Sequence, residues 1–191
     1  GIFILVAFPS AAQDGNLLQN GGMEGEYTGR GRPDFNVVAQ WGVTVFDQPH
    51  TQDWMNLPPV GFPHRGPGPD PHSGAMAQNF NRGYATFTVV MYQTVVVAQG
   101  TNLTGSAWAQ MKTCTIVNTG ADNCASNGES GAYMRVGIDP NGGTSPYDTD
   151  VVWSSNVAPH DTWLQISTTA TTTGGSATIF LFVTQNLPTQ M

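Results

Sequence analysis

The second half of the chain is a series of short apolar segments separated by turns rich in Gly and Asn. The turns lie at Gln99-Gly100, Asn127-Gly128, Asn141-Gly142-Gly143 and Gly174-Gly175. Short β-prone segments at such regular spacing predict a sandwich of antiparallel strands. The predicted strands are Tyr84 to Val97, Leu103 to Lys112, Tyr133 to Asp139, Thr162 to Thr168 and Ala177 to Thr184.

The composition favours the same fold class. Only 10% of the 191 residues are charged, whereas the chain contains 23 Gly and 13 Pro, which disfavours long surface helices. The length suits one all-β domain with a two-layer core. The formal net charge is −7, and the six Lys and Arg residues are scattered singly. Without a basic stripe, nucleic acid and anionic membrane surfaces are excluded as expected partners.

The last predicted strand, Ala177 to Thr184, has two apolar faces. Ile179, Leu181 and Val183 point one way, while Phe180 and Phe182 point the other way. One face must pack against the opposite sheet. The other face is expected to meet either a ligand groove or a covering strand.

The first half contains one predicted strand and one long loop. Phe35 to Phe46 alternates as a strand and is expected to place Trp41 in or near the core. From Asp47 to Ser73 the chain has seven prolines and three of its four histidines. Proline at this density excludes a central strand and predicts a long loop with extended segments.

The N-terminal residues permit two interpretations. Ile2 to Phe8 is uninterrupted and apolar, and small residues before Gln13 match a signal-peptidase site, so residues 1–12 read as a signal-peptide remnant. This interpretation predicts a secreted protein whose single domain spans residues 13–191. The alternative is a β-strand retained in the mature protein. The apolar stretch is too short to insert across a membrane.

The two cysteines fit an oxidising compartment. Cys114 and Cys124 enclose nine residues with turn formers at the far end, so a disulfide between them is expected to staple a loop between two strands. Two thiols at this spacing, with no neighbouring Cys or His, do not match a zinc site.

Two stretches carry a resemblance to a known family. One runs from Tyr133 through Gly137-Ile138-Asp139-Pro140 and a glycine turn to Trp153 and Trp163, and the other is the opening Asn16 to Glu24. They resemble galactose-binding-like, carbohydrate-binding modules of extracellular proteins. The resemblance implies an all-β jelly-roll β-sandwich of two antiparallel sheets that binds a glycan. The family normally continues into one further strand after Asn186 to Pro188, so this chain is expected to lack its last strand.

Sugar binding by such a module requires flat aromatic surface and fixed hydrogen-bonding groups around it. Core packing is the competing role for each aromatic side chain, and Trp163 is expected to be buried by the strand that it begins. The candidate stacking residues are Trp54, Trp153, Tyr84 and Tyr147, and the candidate hydrogen-bonding residues beside Trp54 are Gln52, Asp53 and Asn56.

The resemblance also implies one structural calcium, held between the N-terminal segment and an acidic pair in the final strand. Glu24 matches the first part of that site, whereas the acidic pair has no counterpart in this chain. The remaining acidic residues, Asp139, Asp148, Asp150 and Asp161, are expected to cap turns. No other cofactor is expected.

Catalysis has little support in the sequence. Ser130 lacks the glycine spacing of a nucleophile elbow, the histidines match no ligand motif, and nothing places two carboxylates across a groove. We therefore expect a binding module and not an enzyme. The alternative is a structural subunit of an extracellular filament or surface layer, in which residues 2–8 are donated as a strand to a neighbouring copy. The donated strand would then fill the groove left by the missing last strand, and Phe180 and Phe182 are expected to wall that groove.

Overall fold

A computed structural model of the protein describes residues 15–46, 52–55, 57–65, 70–113, 125–126 and 128–188, without the side chain of Trp54. Eleven β-strands and one 3₁₀ turn at Asp53–Met55 are found in this part of the chain. The strands are β1 (Tyr27–Gly29), β2 (Asn36–Val38), β3 (Gly42–Phe46), β4 (Val60–His64), β5 (Ala77–Asn81), β6 (Phe87–Val96), β7 (Asn102–Ala109), β8 (Tyr133–Asp139), β9 (Val152–Trp153), β10 (Leu164–Thr171) and β11 (Ser176–Gln185).

The strands form one large sheet and three small ones. The large sheet has the order β3-β6-β11-β8-β9, and the pairs β1-β2, β4-β5 and β7-β10 form two-stranded sheets. Every pairing between these strands is antiparallel. The predicted all-β class is confirmed, whereas the jelly-roll strand order stays a prediction. No helix among the described residues is long and apolar enough to cross a membrane.

The main core lies between the large sheet and the small sheets. Alternate residues of β6, β8 and β11 point inward, and the opposite layer contributes residues of β2, β5, β7 and β10. Trp41 is 1% exposed, which confirms its predicted place in the core. The fully buried residues of β7 are small, namely Gly105, Ala107 and Ala109, and a Cβ on Gly105 would lie 2.9 Å from Ile179 Cδ1. The small side chains therefore let β7 approach the large sheet closely.

The predicted strand from Phe35 to Phe46 is two strands in the structure. The chain leaves β2 after Val38 and enters β3 at Gly42, and Gln40 between them has a φ of 71°. A residue in this left-handed region cannot continue a strand. As a result, β2 pairs with β1 while β3 pairs with the edge of the large sheet.

The proline-rich loop contributes a strand that its pattern did not specify. Residues of this loop form β4, which pairs with β5 and includes Pro63. Pro63 cannot donate a backbone hydrogen bond, and β4 has β5 as its one partner strand in the described part of the chain. Within the described residues, the large sheet contains no strand from this loop, as predicted, although Gly61 of β4 also forms a parallel bridge to Phe35.

The final strand β11 lies in the middle of the large sheet, with β6 on one side and β8 on the other. Both of its faces are buried, as its two apolar faces predict. The prediction that Phe180 and Phe182 wall a groove open to a donated strand is corrected, because both edges of β11 are already paired. The two rings instead form a second apolar cluster on the outer face of the sheet.

Candidate functional site

The outer face of the large sheet is rich in aromatic rings. Its members point away from the main core and are joined by Tyr147 from the turn between β8 and β9. We call this surface the aromatic face: Phe46, Tyr92, Tyr133, Arg135, Tyr147, Trp153, Phe180 and Phe182.

Two of these rings lie across glycines on neighbouring strands. Gly42 pairs with Tyr92 and Gly137 pairs with Trp153 in the strand register. A Cβ on Gly42 would lie 2.5 Å from Tyr92 Cζ, and a Cβ on Gly137 would lie 2.6 Å from two ring atoms of Trp153. Because glycine has no side chain, the rings of Tyr92 and Trp153 can lie directly against the sheet, on either side of Phe180.

Arg135 is the positive charge of the aromatic face. Its guanidinium carbon lies 4.0 Å from the ring centroid of Trp153 and 4.5 Å from that of Phe182, which is cation–π geometry. Burial lowers the pKa of Arg135 from its usual value, while Tyr133 and Tyr147 act in the opposite direction. Its buried Nε has no hydrogen-bond partner among the described residues. Arg135 as a whole is half-buried, so the aromatic face carries a positive charge at its surface.

Tyr147 is the most exposed ring of the aromatic face. It is 62% exposed and packs edge-on against Phe46 with ring centroids 4.9 Å apart. Within the described residues, the hydroxyls of Tyr92 and Tyr147 and the indole N–H of Trp153 make no hydrogen bond. The face thus combines apolar rings with polar groups that remain available.

The predicted sugar-binding residues fall into two separate groups. Trp153 and Tyr147 both lie on the aromatic face. Tyr84, which is 44% exposed with a φ of 57°, lies in the loop before β6, and the exposed Gln52 and Asp53 lie at the 3₁₀ turn.

The second group is joined across its two loops, because the Thr86 backbone N–H donates to the Met55 carbonyl at 2.9 Å. The side chain of Trp54 and the whole of Asn56 lie outside the described residues. The site predicted around Trp54 therefore stays a prediction.

A second outward surface belongs to the two-stranded sheet β7-β10. The outward side chains of these strands are uncharged hydroxyls and amides, with Trp108 at one end. We call this surface the hydroxyl face: Asn102, Thr104, Ser106, Trp108, Gln165, Ser167, Thr169 and Thr171.

Trp108 belongs to a ring cluster that the sequence analysis missed. His72 stacks on Trp108 with ring centroids 3.9 Å apart, and Trp163 meets His72 edge-on at 5.5 Å. Trp163 is half-buried before β10 and donates its indole N–H to the Asp70 carbonyl at 3.1 Å. The alternation of residues along β7 is enough to predict that Trp108 points outward. The contact with His72 could not be predicted in this way, because His72 lies in a loop far away in the sequence.

Glu24, the predicted calcium ligand, makes two hydrogen bonds to backbone. Its Oε1 accepts from the backbone N–H groups of Ala75 at 2.8 Å and Met76 at 3.1 Å. The carboxylate thereby tethers the segment that enters β5. Calcium at Glu24 stays a prediction, and the described residues contain no group of three or more His, Cys, Asp or Glu side chains suited to a metal.

The two cysteines lie outside the described residues, so their disulfide also stays a prediction. The residues on either side of this segment are close together, because the Thr113 backbone N–H donates to Ser126 Oγ at 2.9 Å. Residues 2–8 likewise lie outside the described part of the chain, so neither interpretation of the N-terminus is decided.

The chain has few detectable similarities to known proteins. The chain matches no protein-family model and no curated protein. Among solved structures it is similar to the enzymatically active domain of tailspike protein 4 of bacteriophage CBA120, with 10% identity and a TM-score of 0.48. The match covers 78% of this chain and 19% of the other chain.

This match leads to one correction. The structural neighbour is named as an enzymatically active domain, which contradicts the prediction that this chain is not an enzyme, and we withdraw that prediction. A likeness at this identity and TM-score transfers no ligand and no residue role to this chain. Nor does it identify the galactose-binding-like family.

Proposed function

We propose that the protein binds carbohydrate through the aromatic face. The observation that carries the proposal is the placement of Tyr92 and Trp153 across Gly42 and Gly137. Rings laid against a sheet in this way build a broad apolar surface. Such a surface can stack on the hydrophobic face of a pyranose ring.

The polar groups of the same face support this ligand class. Sugar hydroxyls require donors and acceptors around the stacking surface, and the hydroxyls of Tyr92 and Tyr147 can serve as both. Arg135 contributes donors only. A carboxylate-bearing sugar would match it best, because a carboxylate accepts charge-assisted hydrogen bonds from a guanidinium.

The experiment is a glycan array, followed by calorimetry on the best ligand with three single variants. Tyr147→Ala and Trp153→Ala remove rings from the aromatic face, and Trp108→Ala is the matched control on the hydroxyl face. Truncating a stacked ring is expected to cost about 2 kcal/mol of binding free energy, the hot-spot scale. Trp108→Ala is expected to bind as the unaltered protein does.

Binding lost in Trp108→Ala and retained in both other variants would assign the ligand to the hydroxyl face and refute the proposal. The same incubations should be read for newly formed reducing ends. This measurement shows whether a bound glycan is also cleaved.

Export is part of the proposal and rests on the apolar residues 2–8 and the small residues that follow them. N-terminal sequencing of the protein from its native source tests it. A mature chain that begins near Gln13 is the expected result.

Filament assembly is the second candidate function, and one feature of the structure favours it. Within the described strands β7 pairs only with β10, so its other edge is free. A groove of about 530 Å³ is lined by residues 15–18, by β7 and by the inward side chains Ile138 and Ile179. A strand added there would gain backbone hydrogen bonds and apolar contacts.

Deleting residues 1–12 separates the two functions. Loss of assembly with the fold retained would support strand donation. A truncated protein that is monomeric, soluble and equally stable would exclude it, and the carbohydrate proposal predicts unchanged glycan binding in that protein.

A further inference from the structure

The carboxylate of Asp139 is buried and only half satisfied. Asp139 ends β8 and is 0% exposed. Its Oδ1 accepts a hydrogen bond from the Asn141 backbone N–H at 2.9 Å, whereas Oδ2 has no hydrogen-bond partner among the described residues. Burying a carboxylate oxygen without a partner is unfavourable, and a ligand or a positive charge bound to this atom would offset that cost.

The orphaned oxygen of Asp139 and a carboxylate oxygen of Asp148 both lie beside Gly143. A Cβ on Gly143 would clash with Asp139 Oδ2 and would lie 2.7 Å from Asp148 Oδ2. Both oxygens therefore border the same space, which exists because residue 143 has no side chain. Two carboxylate oxygens that border one space are ligands of the kind that a hard cation takes.

The turn between β8 and β9 holds this pair in place. Asn141 Nδ2 donates to Asp150 Oδ2 at 2.6 Å, and the Asp148 backbone N–H donates to the Ser145 carbonyl at 3.3 Å. The Asp148 carbonyl in turn accepts from the Val151 backbone N–H at 3.3 Å. Asp148 is thus positioned by bonds on both sides of it in the chain.

We propose that Asp139 and Asp148 bind one calcium ion in this turn. No third Asp, Glu, His or Cys joins them in a metal-binding group within the described residues. The further ligands would be backbone carbonyl, hydroxyl and water oxygens of the turn. A purely oxygen donor set with two carboxylates suits Ca²⁺, which takes six to eight oxygen ligands, and not Zn²⁺.

This site differs from the calcium site that the family resemblance implies. The implied site uses Glu24, whose Oε1 already accepts two backbone hydrogen bonds. The site at Asp139 involves neither the N-terminal segment nor any residue after β11. Because Tyr147 precedes Asp148 directly, a bound ion would also fix the most exposed ring of the aromatic face. The calcium proposal does not depend on the carbohydrate proposal.

The test uses the full chain after treatment with EDTA and removal of the chelator. Terbium luminescence sensitised by Tyr147, with calcium as competitor, measures the dissociation constant, and thermal unfolding with and without calcium measures stabilisation. The variants are Asp148→Asn, Asp139→Asn and Glu24→Gln. Asp34→Asn is the control, because it removes the same charge from an exposed carboxylate that pairs with Arg32.

We expect calcium to raise the melting temperature of the unaltered protein, and Asp148→Asn to weaken binding by about tenfold or more, since ligand charge sets affinity. Asp34→Asn should bind as the unaltered protein does. Asp139→Asn should also lose binding, and if its buried position prevents folding, the exposed Asp148→Asn decides the question.

Three results would overturn the proposal. The first is no binding up to about 10⁻³ M, the weak limit of extracellular calcium modules. The second is equal binding by Asp148→Asn and the unaltered protein. The third is loss of binding in Glu24→Gln alone, which would place the ion at the N-terminal site.

Discussion

Strand alternation produces both outward faces of the molecule, but the side chains of the two faces differ in how deeply they are buried. The aromatic face covers a five-stranded sheet and buries its own second cluster, with Phe180 0% exposed beneath Tyr92 and Trp153. The hydroxyl face covers a two-stranded sheet, and Ser167 and Thr169 on it are exposed. A wide sheet can shield its central strand, whereas a two-stranded sheet leaves both strands open to water.

A side chain that points outward from a sheet is therefore not always exposed to solvent. Phe180 of β11 points outward and is still buried, because Tyr92 of β6 and Trp153 of β9 pack against it on two sides. A residue on β10 that points outward has a partner strand on one side only. The aromatic face should therefore contribute to stability, whereas most of the hydroxyl face should not.

The sharpest test of this comparison is truncation at the centre of each face. Phe180→Ala removes a fully buried ring and should lower the free energy of unfolding by about 3–5 kcal/mol. Ser167→Ala on the hydroxyl face should change it by no more than about 0.5 kcal/mol. Urea denaturation followed by tryptophan fluorescence measures both. Similar losses in the two variants would show that the faces do not differ in this way.

The next largest effect concerns the sheet that carries the hydroxyl face. We predict a Cys114–Cys124 disulfide, which would tie together the chain that follows β7. Its reduction should cost about 2–3 kcal/mol, because a short closed loop restricts the unfolded chain. Alkylation without reductant, followed by mass spectrometry, should label neither thiol. Labelling of both thiols would exclude the bridge.

A smaller effect is expected where a ring lies across a glycine. Gly137→Ala would place a Cβ 2.6 Å from Trp153 ring atoms and should cost about 1–3 kcal/mol, the range for overpacking. Nothing lies within 4 Å of a Cβ built on Gly175, so Gly175→Ala is the matched control. Thermal unfolding measures the stability, and near-ultraviolet circular dichroism reports the displaced indole. An unchanged indole signal in Gly137→Ala would mean that the ring does not rest on the glycine.

The smallest expected change in stability is at Arg135. Arg135→Met removes the cation–π contacts, worth about 0.5–2 kcal/mol, but it also removes a partly buried charge whose desolvation opposes folding. The two effects offset each other, so we expect a net change below about 1 kcal/mol in urea denaturation. A loss of several kcal/mol would show that Arg135 holds the aromatic face together.

Much of the strand layout could be predicted from the sequence. Tyr133–Asp139 forms β8 with the predicted bounds, and β11 has two buried faces as its Ile, Leu and Phe pattern indicates. These results depend on local alternation and on turn residues, which a sequence displays directly. The break at Gln40 was missed, because a left-handed non-glycine residue carries no strong local signal.

The candidate site was predicted only in part. Trp153 and Tyr147 were singled out as aromatic residues outside the predicted core, Trp153 also by its place after the Gly-rich turn in the family resemblance, and both lie on the aromatic face. Tyr92 was not singled out, because its role depends on Gly42 of a strand paired with its own. Asp139 and Asp148 were expected only to cap turns.

The amino-acid sequence was enough to predict antiparallel strands separated by turns, since apolar alternation and glycine turns are local properties. The folded structure was needed to show which outward residues are buried, which rings lie over which glycines, and which carboxylates border the same space. Such contacts join residues far apart in the chain, as Gly42 and Tyr92 are, and strand register alone brings them together. Register is a property of the paired sheet, because it depends on both strands at once.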